Sequence, residues 1–149
     1  ETVLPLAGLH LLLAEDNELN SEIATALLEE QGASITAVEN GRLALEAIQN
    51  AAPRTYDAIL MDVMMPEMNG LEATRCIRAF EGKGPGEGTP IIAMTANVFA
   101  DDVKACLDAG MNSHVGKPLD MQVLAAEISR QVRRYASLRE GANFTKLGS

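Results

Sequence analysis

Basic charge is what this sequence is short of: 12 Lys plus Arg stand against 21 Asp plus Glu, a formal net charge of −9 over 149 residues. Such a surface repels nucleic acid and anionic membranes, so direct binding to either is not expected. Cysteine is scarce too. Cys76 and Cys106 each fall inside a helical pattern with no ligand-like spacing. That argues against a disulfide framework and for reduced thiols in a cytoplasmic setting. No segment approaches the ~18 uninterrupted apolar residues of a membrane span, and the first residues lack a basic stretch followed by an apolar core. The piece is expected to be soluble and cytoplasmic, so any membrane anchor of a parent protein would lie outside it.

What is present is a regular alternation of short apolar runs and amphipathic stretches, in a length that suits one domain. Residues 1–8, with Pro5, read as a lead-in or linker. Residues 9–135 form the domain. His10–Ala14 is a buried-type strand, and Leu19, Ile23, Ala26 and Leu27 recur at helical spacing until Gly32 stops them. Ser34–Val38 is a second strand, after which Asn40 caps a helix with Ala44, Ala47 and Ile48 on its core face. Tyr56–Met61 is a third strand, and Gly70–Phe80 a helix with Ala73, Cys76, Ile77 and Phe80 on one face. The Gly- and Pro-rich stretch 82–90 is a surface loop; it follows a helix, precedes a strand and has no Lys-Ser/Thr pair, so it is not a phosphate loop. Ile91–Met94, a helix over Phe99–Ala109, the strand Ser113–Gly116 and a helix capped by Asp120 complete the series. The last helix carries Met121, Leu124, Ile128, Val132 and Tyr135 at its period. From Leu138 the period fades, so residues 136–149 read as a tail, with Lys146–Ser149 resembling a cloning remnant.

Five strands alternating with five helices give an α/β, doubly wound parallel sheet. Its organising stretch is Ile59-Leu60-Met61-Asp62-Val63-Met64-Met65-Pro66, an apolar run that ends in one carboxylate and then a breaker. Asp62 falls at a strand's carboxyl end, the edge where open α/β sheets bind ligands. Alone, such an Asp could equally cap a turn. Glu15-Asp16-Asn17 close the first strand in the same way, Thr95-Ala96-Asn97 the fourth, and Lys117-Pro118 the fifth. These groups converge only if their strands are neighbours, which the order 2-1-3-4-5 achieves. Carboxylates about 4 Å apart repel by about 4 kcal/mol at an effective dielectric of 20, so the cluster calls for a cation. All-oxygen ligation suits Mg²⁺, with Mn²⁺ as the alternative, and Mg²⁺ suits phosphate chemistry. Lys117 offers a positive charge and Thr95 a hydroxyl to a transferring phosphoryl group.

With Asn69-Gly70 after the Asp62 stretch, these five motifs, in chain order, resemble the receiver domain of two-component response regulators over roughly Leu9–Tyr135. The Glu15-Asp16-Asn17 start, Leu71–Thr74 and Ala109–Asn112 are most similar to receivers of hybrid sensor histidine kinases. The resemblance implies a flavodoxin-like receiver fold. It makes Asp62 the phosphoacceptor for a phosphoryl group from phosphohistidine on a histidine kinase or phosphotransfer domain. Asp16, Asp62, the Met64 backbone carbonyl and, through water, Glu15 would ligate Mg²⁺, while Thr95, Ala96 and Lys117 would hold phosphoryl oxygens. Pro118 is the cis-proline candidate that aims Lys117. Met64 and Asn97 would tune the lifetime of the acyl phosphate. Such a domain catalyses its own phosphorylation and slow dephosphorylation.

The residue at the family's aromatic switch position is His114, three before Lys117. It departs from the pattern and equally reads as a half-exposed strand residue, as His10 reads as structural or surface. Switching would run from Thr95 and His114 into the fourth helix, fifth strand and fifth helix, a face that also admits a weak homodimer. The first helix beside Asn17 and Asn20 is the expected docking surface for the phosphohistidine partner. Two other readings remain. One is a phosphorylation-silent interaction module of the same fold. The other is a Mg²⁺-dependent phosphatase with Asp62 as nucleophile, which would want an acid two residues on, where Met64 stands.

Overall fold

The computed structural model describes residues 4–65, 67–96 and 99–148, without the side chains of 100 and 138–148. Ten elements alternate: β1 (His10–Ala14), α1 (Glu18–Glu30), β2 (Ser34–Val38), α2 (Gly41–Asn50), β3 (Ala58–Asp62), α3 (Gly70–Glu81), β4 (Ile91–Thr95), α4 (Ala100–Ala109), β5 (Ser113–Gly116) and α5 (Met121–Gly148). All strand pairs are parallel and the order is β2-β1-β3-β4-β5, as expected. The crossover from β1 runs to β2 on one side and that from β3 to β4 on the other, so the carboxyl ends of β1 and β3 open a crevice between them.

The apolar runs become central strands because both of their faces are covered. β3 and β4 are buried at every position. On one face Leu11, Leu13, Leu60, Ile92 and Met94 pack against Ala24 and Leu28 of α1 and Leu124 and Ile128 of α5. On the other, Leu12, Ile59, Met61, Ile91 and Ala93 meet Ala44 of α2, Ala73 and Ile77 of α3 and Cys106 of α4. Each large side chain buried this way contributes about 1.5–3 kcal/mol. Helix starts are set by short polar side chains that accept otherwise orphaned N–H groups. Asn17, Asn40 and Asn69 take the amides of Asn20, Leu43 and Glu72 at 2.9, 2.8 and 2.9 Å. Asp120 takes those of Gln122 and Val123 at 2.9 and 3.3 Å. At the start of α4, Phe99 offers no side-chain cap.

Three helices show more than their sequence pattern states. In α1 the stripe Leu19, Ile23 and Leu27 is 63, 50 and 36% exposed, and the helix seats Ala24 and Leu28 on the sheet. In α3, Phe80 is half exposed and Cys76 only partly covered, while Thr74 and Arg78 are buried beside Ala73 and Ile77. Both buried polar groups find partners: Thr74 Oγ1 donates to the Gly70 carbonyl at 2.7 Å, and Arg78 bonds four groups. Finally, α5 continues to Gly148 although its apolar period fades after Tyr135.

Candidate phosphoacceptor site

Each site residue stands at the carboxyl edge because the strand beneath it has just ended. Glu15 follows β1 and its N–H still reaches the Val38 carbonyl at 3.1 Å. Asp62 is the last residue of β3, paired in register with Met94, which puts Thr95 one step beyond it on the neighbouring strand. Gly70 lets α3 begin against this corner. A Cβ there would collide with the Asp62 carbonyl, and the Gly70 N–H instead donates to the Val63 carbonyl at 2.9 Å. Lys117 is anchored through its own N–H to the Thr95 carbonyl at 2.8 Å, and the Lys117–Pro118 bond is cis.

The side chains then meet. Carboxylate oxygens of Glu15, Asp16 and Asp62 lie within 4.8 Å of one another, with Glu15 and Asp62 buried and Asp16 exposed. Lys117 Nζ stands 3.1 Å from Asp62 Oδ1 and 3.8 Å from Glu15 Oε2. The Met64 N–H donates to Asp62 Oδ1 at 3.3 Å. Glu15 Oε2 is buried with no hydrogen-bond partner. Burial, reinforced by the adjacent Asp62 carboxylate, pushes the Glu15 carboxyl up to about 7, against the smaller pull of Asn20 and Lys117. One lysine cannot compensate three carboxylates, and an unsatisfied buried acceptor beside two others is the donor set a hard divalent cation takes. The residues present fit such an ion.

Thr95 is buried at the rim and Ala96 is exposed beside it. His114 is exposed on the edge strand β5, opposite Ala93, while its neighbour Val115 is buried. Met64 is 77% exposed. Asn97 and Pro66 lie outside the described residues. Beside the carboxylates, a groove of about 540 Å³ runs between α1 and the β5–α5 connection, walled by Ile23, Leu27, Pro118 and Leu119 and reaching Glu15 and Lys117.

Two contributors escaped the sequence. The Met64 N–H on Asp62 is a backbone group, invisible in residue identity. The clasp that holds the β3–α3 loop to α2 is the other: Gly41 N–H donates to the Met68 carbonyl at 3.0 Å, and Asn40 and Arg42 reach Glu67, whose φ is 64°. The Asn40-Gly41-Arg42 run carried a signal only for the helix start.

A family model for the response regulator receiver domain matches residues 11–129. The chain belongs to this family. The receiver domain of sensor histidine kinase PA1611 from Pseudomonas aeruginosa PAO1 superposes with a TM-score of 0.73 and 39% identity. That match covers 85% of this chain and 98% of the other, and the crystal structure has a magnesium ion coordinated in its active-site cleft. Probable histidine kinase 1 from Oryza sativa subsp. indica is 41% identical over 140 residues, and the sensor protein GacS from Pseudomonas syringae pv. syringae 40% over 114. These alignments take in 75 and 76% of this receiver but only 14 and 12% of the relatives. A receiver of this family is a module of two-component signalling. Among the described residues no helix is long and apolar enough to cross a membrane.

Proposed function

We propose that this receiver takes a phosphoryl group from phosphohistidine onto Asp62, with Mg²⁺, as part of a hybrid histidine kinase phosphorelay. The observation that carries the reading is the buried Asp62 carboxylate, flanked within 4.8 Å by two further carboxylates and at 3.1 Å by Lys117 Nζ. Asp62 supplies the nucleophilic oxygen: a P–O bond forms as the P–N bond to imidazole breaks, and the departing nitrogen takes a proton. Lys117 and Thr95 hold phosphoryl oxygens, with the Ala96 N–H alongside. Glu15, Asp16, Asp62 and the Met64 carbonyl would hold the metal, which when bound screens the charge of carboxylate and phosphoryl oxygens. Relatives described as hybrid kinases, such as hybrid signal transduction histidine kinase L of Dictyostelium discoideum at 37% identity, support the hybrid context. Two unpaired cysteines suit a cytoplasmic domain.

The phosphohistidine partner docks on α1 and the adjacent groove. There the exposed Leu19, Ile23 and Leu27 offer an apolar strip that leads to Asp62's neighbours. Thr95 and His114 bias α4, β5 and α5 once phosphate is bound.

Mass spectrometry after incubation with acetyl phosphate and Mg²⁺ tests the acceptor. A labile phosphoryl adduct is expected on the parent, and none on Asp62→Asn or on the chelated protein. If neither acetyl phosphate nor a phosphorylated histidine domain modifies the parent, the reading fails and the fold serves as a phosphorylation-silent module.

A further inference from the structure

At the opposite pole of the sheet, beyond the amino ends of β3 and β4, lies a second cavity of about 330 Å³. It opens between the α2–β3 connection, the α3–β4 loop and the side of α5, and its volume is at the lower end of the ~300–1,000 Å³ typical of small-molecule sites. The chain has no Trp, two Tyr and three Phe. Both tyrosines and one phenylalanine, Tyr56, Tyr135 and Phe80, line this one cavity. An aromatic-poor chain thus collects most of its ring surface far from Asp62.

The cavity's charge departs from that of the molecule. In a chain of net charge −9, it is lined by Arg54 and Lys83, and neither enters an ion pair among the described residues. The carboxylate on its wall, Glu81, is already committed: Arg78 Nη1 is 2.9 Å away, and Thr89 donates through its N–H at 3.2 Å and its hydroxyl at 2.7 Å. Arg54 is also one of two non-glycine residues with left-handed backbone among those described, φ 66°; the other, Glu67, belongs to the phosphoacceptor loop. A non-glycine residue held there is uncommon and, where it recurs at binding loops, the surroundings sustain its strain.

We propose that this cavity is a binding site for a mononucleotide, whose base stacks among Tyr56, Phe80 and Tyr135 and whose phosphate pairs with Arg54 and Lys83. Ring stacking and charge-assisted contacts to a phosphate are the two interactions the lining offers, and a mononucleotide supplies both groups on one small scaffold. Occupancy would press on Glu81 and Thr89, which hold Arg78. Arg78 Nε in turn donates to the carbonyl of Gly110, the C-cap of α4, at 2.9 Å. The site therefore borders the element that the phosphorylation reading expects to move.

The test uses adenosine 5′-monophosphate as probe, with adenosine and inorganic phosphate as half-ligands, followed by amide shifts in NMR titrations of the 149-residue chain. Tyrosine fluorescence gives a second readout, since Tyr56 and Tyr135 are its only sources besides the weak phenylalanines. Saturable shifts at Tyr56, Phe80 and Thr89 are expected, with binding roughly tenfold weaker for each half-ligand. The exposed double variant Arg54→Ala/Lys83→Ala should weaken the nucleotide by about tenfold or more while leaving acetyl phosphate labelling of Asp62 unchanged. The proposal is overturned by any of four results: no saturable shift at millimolar nucleotide, equal binding of adenosine, unchanged affinity in the double variant, or shifts centred on Glu15 and Lys117.

Discussion

Glu15 carries a measurable consequence of being crowded. Its carboxyl is buried and pushed up from an ordinary value of 4.5 to about 7, chiefly by burial and then by Asp62. In the unfolded chain it loses its proton near 4.5, whereas in the folded, metal-free domain it keeps that proton to about 7. Between these values the folded state binds more protons, so stability falls as pH rises through the window and levels off above it. The expected loss is on the order of a few kcal/mol. Urea unfolding in chelator across this range should show the decline in the parent and a nearly flat profile in Glu15→Gln. A parent profile as flat as the variant's would remove the cause assigned here. Met64 poses a different question at the same scale. Its side chain is 77% exposed beside Asp62, so in the proposed function any cover it gives an acyl phosphate there comes from the rim. Replacing it by Asn admits and orients water, and single-turnover dephosphorylation should speed up severalfold, by less than about 1.4 kcal/mol of barrier. Equal rates would dismiss the shielding role.

Elements are where sequence reading and structure part company most usefully. Strand positions were legible because buried parallel strands are continuous apolar runs, and their ends were legible because acids, Thr and Lys interrupt those runs. Helix faces were less so. α1 presents two apolar stripes, Leu19/Ile23/Leu27 and Ala24/Leu28; periodicity marks the helix without saying which stripe faces inward, and Ala24/Leu28 is the one seated on the sheet. Both stripes contain leucine, so side-chain size does not choose between them; the seating of the helix on the sheet does, and a sequence does not state it. α3 was less legible for another reason. A buried arginine looks wrong on a core face until its partners are known, and they come from distant segments. Arg78 donates to the carbonyls of Gly110 and Thr89 at 2.9 and 2.8 Å, to Asn112 Oδ1 at 2.8 Å and to Glu81 at 2.9 Å. It joins α3 to the starts of β4 and β5. Arg78→Met keeps the apolar stem but leaves the Gly110 and Thr89 carbonyls and Asn112 Oδ1 without the guanidinium and the partly buried Glu81 without its cation, so a destabilisation of about 3 kcal/mol is expected. Denaturant midpoints would check it, and a loss below about 1 kcal/mol would show that water replaces the guanidinium.

At the scale of the molecule, one sheet divides its labour between two edges and two faces. The carboxyl edge gathers the acids, the central strands keep them aligned, and α1 shows its larger apolar stripe to solvent next to them. The stripe lies beside a 540 Å³ groove reaching Glu15 and Lys117, and in the proposed function it is the surface that a phosphohistidine partner covers on its way to Asp62. Docking and chemistry are then separable. Ile23→Ser with Leu27→Ser alters residues that are 50 and 36% exposed, so folding stability should change by no more than about 1 kcal/mol. Labelling by acetyl phosphate, which needs no docking surface, should be unchanged. Transfer from a phosphorylated histidine domain should slow by about tenfold or more, the loss of two central apolar anchors of a small interface. Stopped-flow comparison of the two donors separates the outcomes. If both donors slow together, the substitutions have disturbed the carboxylate site itself. If neither slows, the partner reaches Asp62 from another side and the exposed stripe of α1 belongs to a different contact.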